Sequence, residues 1–462
     1  MANVVLTKNN KKTQVDDLQK LDKEDLIAKI IQLEAHNTQL KNIIQKSQAG
    51  SEKDVNEKYK GKGYDFANSF SRHILLKFYY LGWDYNGYAS QEDSTKTIEY
   101  HLFKALTRAC LIESRQTCNY HRCGRTDKGV SAFSQVISLD IRSRLSPEEQ
   151  TNEEFRDKEL NYCHILNRLL PSEIRCVAWA AVKDSDYSAR FNCKMRTYHY
   201  YFPRGKLNIN VMQDACKLLI GSHDFRNLCK MDVANGVVDF MRTVKDAEIV
   251  CVSRQSHNTE SGYDMFAFKI TSKAFLWHQI RCIMAILLLI GNECEEPSII
   301  TELFDVEKNG CKPQYSLASD IPLNLYRTRY DLNEARTYKV DPADFNPDDL
   351  NFDENKDWCF DRDNLRHVIE ELQGQWTQQN VKCAMMLDML TDLHDVYDEI
   401  KTDDNDDNDD SSGPIRHQAE CILQGVRSKT YKKLLDRDTC ASLENRINHY
   451  VKKRRLNVEG DR

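Results

Sequence analysis

Several things are missing from this sequence, and each absence narrows the field. No apolar run reaches the ~18 residues of a membrane span, and the longest, Ile283 to Ile290, reads as a buried helix. The first ten residues, Met1 to Asn10, lack the apolar core of a secretory leader. The sixteen cysteines show no repeating spacing. With no leader, they are expected to be free thiols in a reducing compartment. Cys118, His121 and Cys123 cluster, but no second pair completes a tetrahedral set, so no metal is expected. Lys60-Gly61-Lys62-Gly63 lacks the frame of a phosphate loop, which leaves nucleotide hydrolysis without support. An excess of positive charge is lacking too, since the net charge is −6. That balance is uneven, because Asp403 to Asp410 is an acidic low-complexity run that hides a more basic folded part.

What is present is a chain of 462 residues, 40% hydrophobic and 29% charged. That is too long for one ordinary domain and ample for a large core. Residues 1–70 read as a helical arm and linker. Leu26, Leu33 and Leu40 fall seven apart, with Ile30, Asn37 and Ile44 four residues after each. The pattern fits a short dimerising coiled coil with Asn37 fixing register, and equally a lone amphipathic helix. Strands are expected at Ile74–Tyr80, Val136–Ile141, Thr197–Phe202 and Phe266–Ile270. Helices are expected at Ile98–Ala109, Val211–Leu219 and Trp277–Ile290. Strands interleaved with helices imply an α+β architecture. Beyond about residue 335 the composition turns acidic and loop-like. Two helical patterns then occupy Asn364–Ile400, residues 403–414 are expected to be disordered, and a basic end carries Lys452-Lys453-Arg454-Arg455.

The densest chemical signal is His121-Arg122-Cys123-Gly124-Arg125-Thr126-Asp127-Lys128-Gly129-Val130-Ser131. Its glycines permit tight backbone paths that aim the side chains between them. Taken alone, such a stretch more often makes a turn than an active site. However, Gly124 to Val130 resembles the catalytic-aspartate motif of the TruA-like tRNA pseudouridine synthases, and three more motifs match in the family's order. Gly82-Trp83-Asp84-Tyr85-Asn86-Gly87 resembles its early turn. Ala189-Arg190-Phe191 with Arg196-Thr197-Tyr198-His199-Tyr200 resembles two middle segments. Phe275-Leu276-Trp277-His278-Gln279-Ile280-Arg281 resembles the Phe-x-x-His-x-x-Arg helix. Tyr88 to Glu92, Tyr120 to Gly124, Tyr64-Asp65-Phe66 and the tail from Tyr431 to Lys453 are similar to the eukaryotic branch that modifies positions 38 and 39 of the anticodon arm. Ser131 stands where bacterial members have histidine, a mark of that branch.

The resemblance implies a catalytic domain of two related halves around a central antiparallel sheet, residues 71–205 and 206–335, followed by a C-terminal extension over 336–462. It implies isomerisation of uridine to pseudouridine in tRNA, without redox change and without a cofactor. Asp127 would be the nucleophile or base, ionised at neutral pH because an ordinary aspartate titrates near ~3.9. Arg281 would pair with it. Tyr198 would stack on the target base and could serve late as a general base. The base must be extruded from the arm, and Arg125 would fill the vacated space. Lys128, Arg190, Arg196 and His278 would line the substrate site. Family members of this type are homodimers that bind tRNA across both subunits. The cluster at 452–455 suits phosphate contact or nuclear import, so nucleus, cytoplasm or both are expected locations. Two rivals stand beside this reading: a tRNA-binding chaperone without catalysis, which predicts a broken site, and a sister synthase with another RNA target.

Overall fold

A computed structural model describes residues 64–182, 184–233, 236–254, 261–332, 358–401, 422–423 and 430–454. The chain divides into two compact units, Met1–Asp65 and Phe66–Arg462. All elements named below belong to the second. The heptad seam over 26–44 and the acidic run over 403–414 lie outside the described residues.

The expected α+β class is what the chain adopts. Among the described residues, nine strands form one sheet: β1 (Phe70–Tyr80), β2 (His121–Arg122), β3 (Ser131–Ser143), β4 (Ile174–Ala181), β5 (Cys193–Pro203), β6 (Gly221–Asp224), β7 (Met241–Ser253), β8 (Met265–Ser272) and β9 (Leu323–Tyr330). Their order is β4-β1-β3-β9-β5-β8-β7-β6, with β2 paired to β3 off that path. Every pairing is antiparallel except one. β3 meets β9 in parallel over Ser131↔Asn324 and Ala132↔Leu325 alone. This short seam joins two wings and lies immediately after the Asp127 loop.

Each wing covers one sheet face with helices. On the first, Ile74, Leu76, Phe78 and Tyr80 alternate along β1 and pack on Ile98, Leu102, Ala105 and Leu106 of α1 (Ile98–Arg108). This is the period-two against period-3.6 match that a sheet–helix layer requires. Leu75 points the other way, into a cluster with Val136, Tyr187 and Leu332. A short helix, α2 (Tyr162–Asn167), completes the wing. On the second wing, Tyr200, Phe202, Phe268 and Ile270 pack on α3 (Ile209–Lys217) and α4 (Gln279–Gly291). α4 is buried on nearly every side, which explains its apolar run without a membrane. Beyond it lies α5 (Ile299–Phe304).

The structure adds strands that periodicity did not reveal. β7 is the clearest. A register shift between Val244 and Asp246 breaks its alternation, so Val244 and Ala247 are both buried although three residues apart. The two helical patterns over 364–400 prove to be one helix, α6 (Arg362–Lys401), 40 residues long. Gly374 lies within it, but a helical glycine costs only ~1 kcal/mol against alanine and need not break the helix. Asn364, Glu371 and Gln375 tie the start of α6 to the first wing through Cys176, Arg175 and Ser172. The final helix is α7 (Leu443–Arg454).

The C-terminal segment runs back over the second wing. Leu434 is completely buried in that core, and its amide donates to Glu295 at 2.7 Å. Leu423 bridges Ala318, and Ser319 donates to the Ile422 carbonyl.

Candidate active site

Backbone contacts from the first wing fix the Asp127 loop. The Val130 amide donates to the Asp127 carbonyl at 3.2 Å and closes a turn at Lys128-Gly129. Gly129 has φ +79°, in the left-handed region that glycine enters without strain. The early turn at 82–87 lies against this loop. Tyr88 donates its amide to the Thr126 carbonyl, and Gly129 donates to the Tyr85 carbonyl. The Gly82 amide donates to Ser131 Oγ at 2.9 Å. A Cβ on Gly82 would sit 2.0 Å from the Val130 carbonyl oxygen, so only glycine permits this approach. Below the loop, the Tyr80 hydroxyl and Thr126 Oγ1 share a 2.7 Å hydrogen bond.

The second wing supplies what surrounds the carboxylate. His278 Nε2 lies 3.2 Å from Asp127 Oδ2, and Arg281 Nη1 lies 4.0 Å from the same oxygen. The Trp277 indole N–H donates to Oδ1 at 3.2 Å. Trp277 and His278 immediately precede α4 and Arg281 stands in its first turn, so the carboxylate faces the positive end of a helix. His278 adopts φ +58°, which turns its ring toward Asp127 instead of continuing the helix backward. Arg281 is buried, and its Nε–H donates to the Ala318 carbonyl at 2.8 Å. Burial alone would raise the Asp127 pKa. The His278 bond and charge, the Trp277 N–H and the Arg281 cation outweigh it and hold the carboxyl below its ordinary value.

Asp127 opens into a cavity of about 840 Å³. Of the eight residues expected at the site, Asp127, Tyr198, Arg281, Arg125, Arg190 and His278 line this cavity. Lys128 and Arg196 do not. Lys128 sits exposed at the turn tip. Arg196 is a backbone clamp: its guanidinium donates to the carbonyls of Cys123 at 2.9 Å, Arg190 at 3.0 Å and Lys273. It thereby joins the Asp127 loop to β5 and to the approach to α4. Tyr198 meets the Phe275 ring edge-on at 5.3 Å, and burial pushes its hydroxyl well above the ordinary tyrosine value.

Other cavity residues were not among those expected at the site. Arg122, Lys230 and Arg242 add positive charge to the walls, which Asp232 also lines. Arg122 is held by the fully buried carboxylate of Glu99, which also accepts from Tyr120 at 2.8 Å and from the Ser90 amide at 2.9 Å. Lys230 places its ammonium 4.2 Å from the centre of the Trp277 ring. Phe191 stands 72% exposed beneath the Arg190 guanidinium, which itself lines the cavity. Every cysteine among the described residues is a free thiol, and Cys123 and Cys193 lie 3.6 Å apart beneath the loop.

A family profile described as tRNA pseudouridine synthase matches residues 215–331. The human protein named tRNA pseudouridine(38/39) synthase is 42% identical over 96% of this chain and 90% of its own length. The bovine protein of the same name is 41% identical over the same shares. The Saccharomyces cerevisiae protein of that name is 38% identical over 67% of this chain and 70% of its own length. More distant likeness extends to archaeal proteins named tRNA pseudouridine synthase A, such as that of Methanosarcina mazei, 31% identical over 52% of this chain. With relatives this similar over nearly their whole length, the chain belongs to the tRNA pseudouridine synthase family.

Proposed function

We propose that this enzyme isomerises uridine to pseudouridine at positions 38 and 39 of the tRNA anticodon arm, with Asp127 as its catalytic group. One observation carries the proposal. A carboxylate kept ionised by His278, Trp277 and Arg281 stands in a cavity walled by Arg122, Arg125, Arg190, Lys230 and Arg242. Such walls suit a polyanion, and the carboxylate suits attack at the sugar or removal of a sugar proton. The bond from N1 to C1′ breaks, the uracil rotates, and C5 joins C1′ while its proton passes to N1. Atoms balance without an oxidant or a cofactor.

Arg125 is exposed at the cavity wall, a placement that favours its entering the stack when the base leaves. The raised pKa of Tyr198 favours contact with the base over proton removal. Asp127→Ala is expected to abolish product and to leave tRNA affinity within about threefold, since its role is chemical. An unmodified tRNA transcript treated with each protein, then mapped by carbodiimide labelling and primer extension, checks this. Product elsewhere would point to the sister-synthase reading. No product with wild type despite tight binding would favour the chaperone.

The enzyme acts as a homodimer in this reading, and α6 supports it. Met386, Met389, Leu393, Val396 and Ile400 repeat at alternating spacings of three and four, and each is more than half exposed. This is an apolar seam of the kind that pairs with a like helix. Replacing Met389, Leu393 and Val396 with glutamate is expected to halve the sedimenting mass. An unchanged mass would remove this seam as the interface.

A further inference from the structure

We infer that Trp277 is a positioning residue for the reaction. Its indole N–H selects the oxygen of Asp127 that faces the substrate. This rests on the reading of Asp127 as the catalytic group. The two carboxylate oxygens have unlike surroundings. Oδ2 faces His278 and Arg281, whose side chains are 12% and 5% exposed. Oδ1 faces Trp277, which is 41% exposed and stands in the open cavity. The cationic guanidinium therefore lies nearer Oδ2, and Oδ1 has a neutral donor. A neutral donor orients a carboxylate without adding the Coulomb attraction of a full cation. Oδ1 is thus presented to the sugar without the ion pair that would blunt it.

The ring is held for this task. The Lys230 amide donates to the Trp277 carbonyl at 2.9 Å, and the Lys230 ammonium lies over the indole. His278 packs beside it with ring centres 4.8 Å apart. An indole this exposed contributes little to the core, so burial does not account for it. The Phe-x-x-His-x-x-Arg pattern leaves the position unspecified, so the pattern does not account for it either.

The test uses the full-length protein and an unmodified tRNA transcript in single-turnover assays across pH. Trp277→Phe removes the N–H and keeps the ring over which Lys230 sits. Trp277→Ala removes both. Turnover by Trp277→Phe is expected to fall about ten- to a hundredfold, the range for a lost hydrogen bond to a charged group. Affinity should stay within about threefold, and the acid limb of the rate profile should move to higher pH, because a donor to the carboxylate is gone. Wild-type turnover and an unmoved acid limb for Trp277→Phe would overturn the inference, as would a loss confined to the KM of Trp277→Ala, which would make Trp277 an RNA-stacking surface instead. Asp127→Ala is the parallel control. If it stays active, the reading of Asp127 fails. If it is inactive while Trp277→Phe is unimpaired, only the role of Trp277 fails.

Discussion

The two wings of the sheet treat Asp127 differently. The first wing holds the backbone of its loop through Gly82, Tyr85, Tyr88 and Ser131, and none of those contacts touches the carboxylate. The second wing contributes Trp277, His278 and Arg281, all of which act on the carboxylate. Position is set chiefly by the first wing, with Arg196 of β5 clamping the Cys123 carbonyl from the second, and ionisation is set by the second. The β3–β9 junction that brings them together is only two residue pairs long. Small changes on either side should therefore damage catalysis in distinguishable ways.

The largest effect is expected from the positioning side. Gly82→Ala would press a methyl group against the Val130 carbonyl and push the loop aside. A shift of ~1 Å at a reacting group can cost about a hundredfold in rate. Turnover should fall by that order while the acid limb stays in place and the thermal transition remains cooperative. A displaced acid limb would show that the two roles are not separate. Arg281→Ala should act more mildly, reducing turnover roughly tenfold near neutral pH. Here the acid limb should rise, because removing the cation lets burial lift the Asp127 pKa. The sign can be checked in stability as well. A depressed aspartate stabilises the fold above its unfolded value of ~3.9 and loses that contribution as pH falls through the folded value. Urea titrations between pH 3 and pH 6 should show a smaller slope for Arg281→Ala than for wild type.

Much of the site was legible because its chemistry sits in short motifs. Asp127, His278 and Arg281 could be named because their short motifs resemble the family's, and they meet in one cavity. Arg196 could be named but not interpreted. Its neighbours at Cys123, Arg190 and Lys273 come from three separate stretches, so its clamping role depends on the sheet being assembled. Glu99 and Lys230 gave no signal for a related reason. A glutamate in an amphipathic helix reads as solvated, and only packing shows that Glu99 is buried against Arg122. The strands that escaped notice share another cause. β7 carries a register shift that scrambles its alternation, and much of its outer face is open to solvent. The seam along α6 lies within the two helical patterns read over 364–400, but its exposure could be known only once the helix was seen as one element tied to the body near its start.

The C-terminal segment has a consequence in time. Ala318, whose carbonyl receives Arg281, forms a bridge with Leu423, and the core beneath is sealed by Leu434. β9 ends at Tyr330, so roughly a hundred further residues must be synthesised before that seal exists. At ~5–20 residues per second, a nascent chain spends about 5–20 s with the second wing assembled but unsealed. During that interval its apolar floor is open to chaperones and to other nascent chains. Maturation of this enzyme is therefore paced by the ribosome's progress from Tyr330 to Leu434.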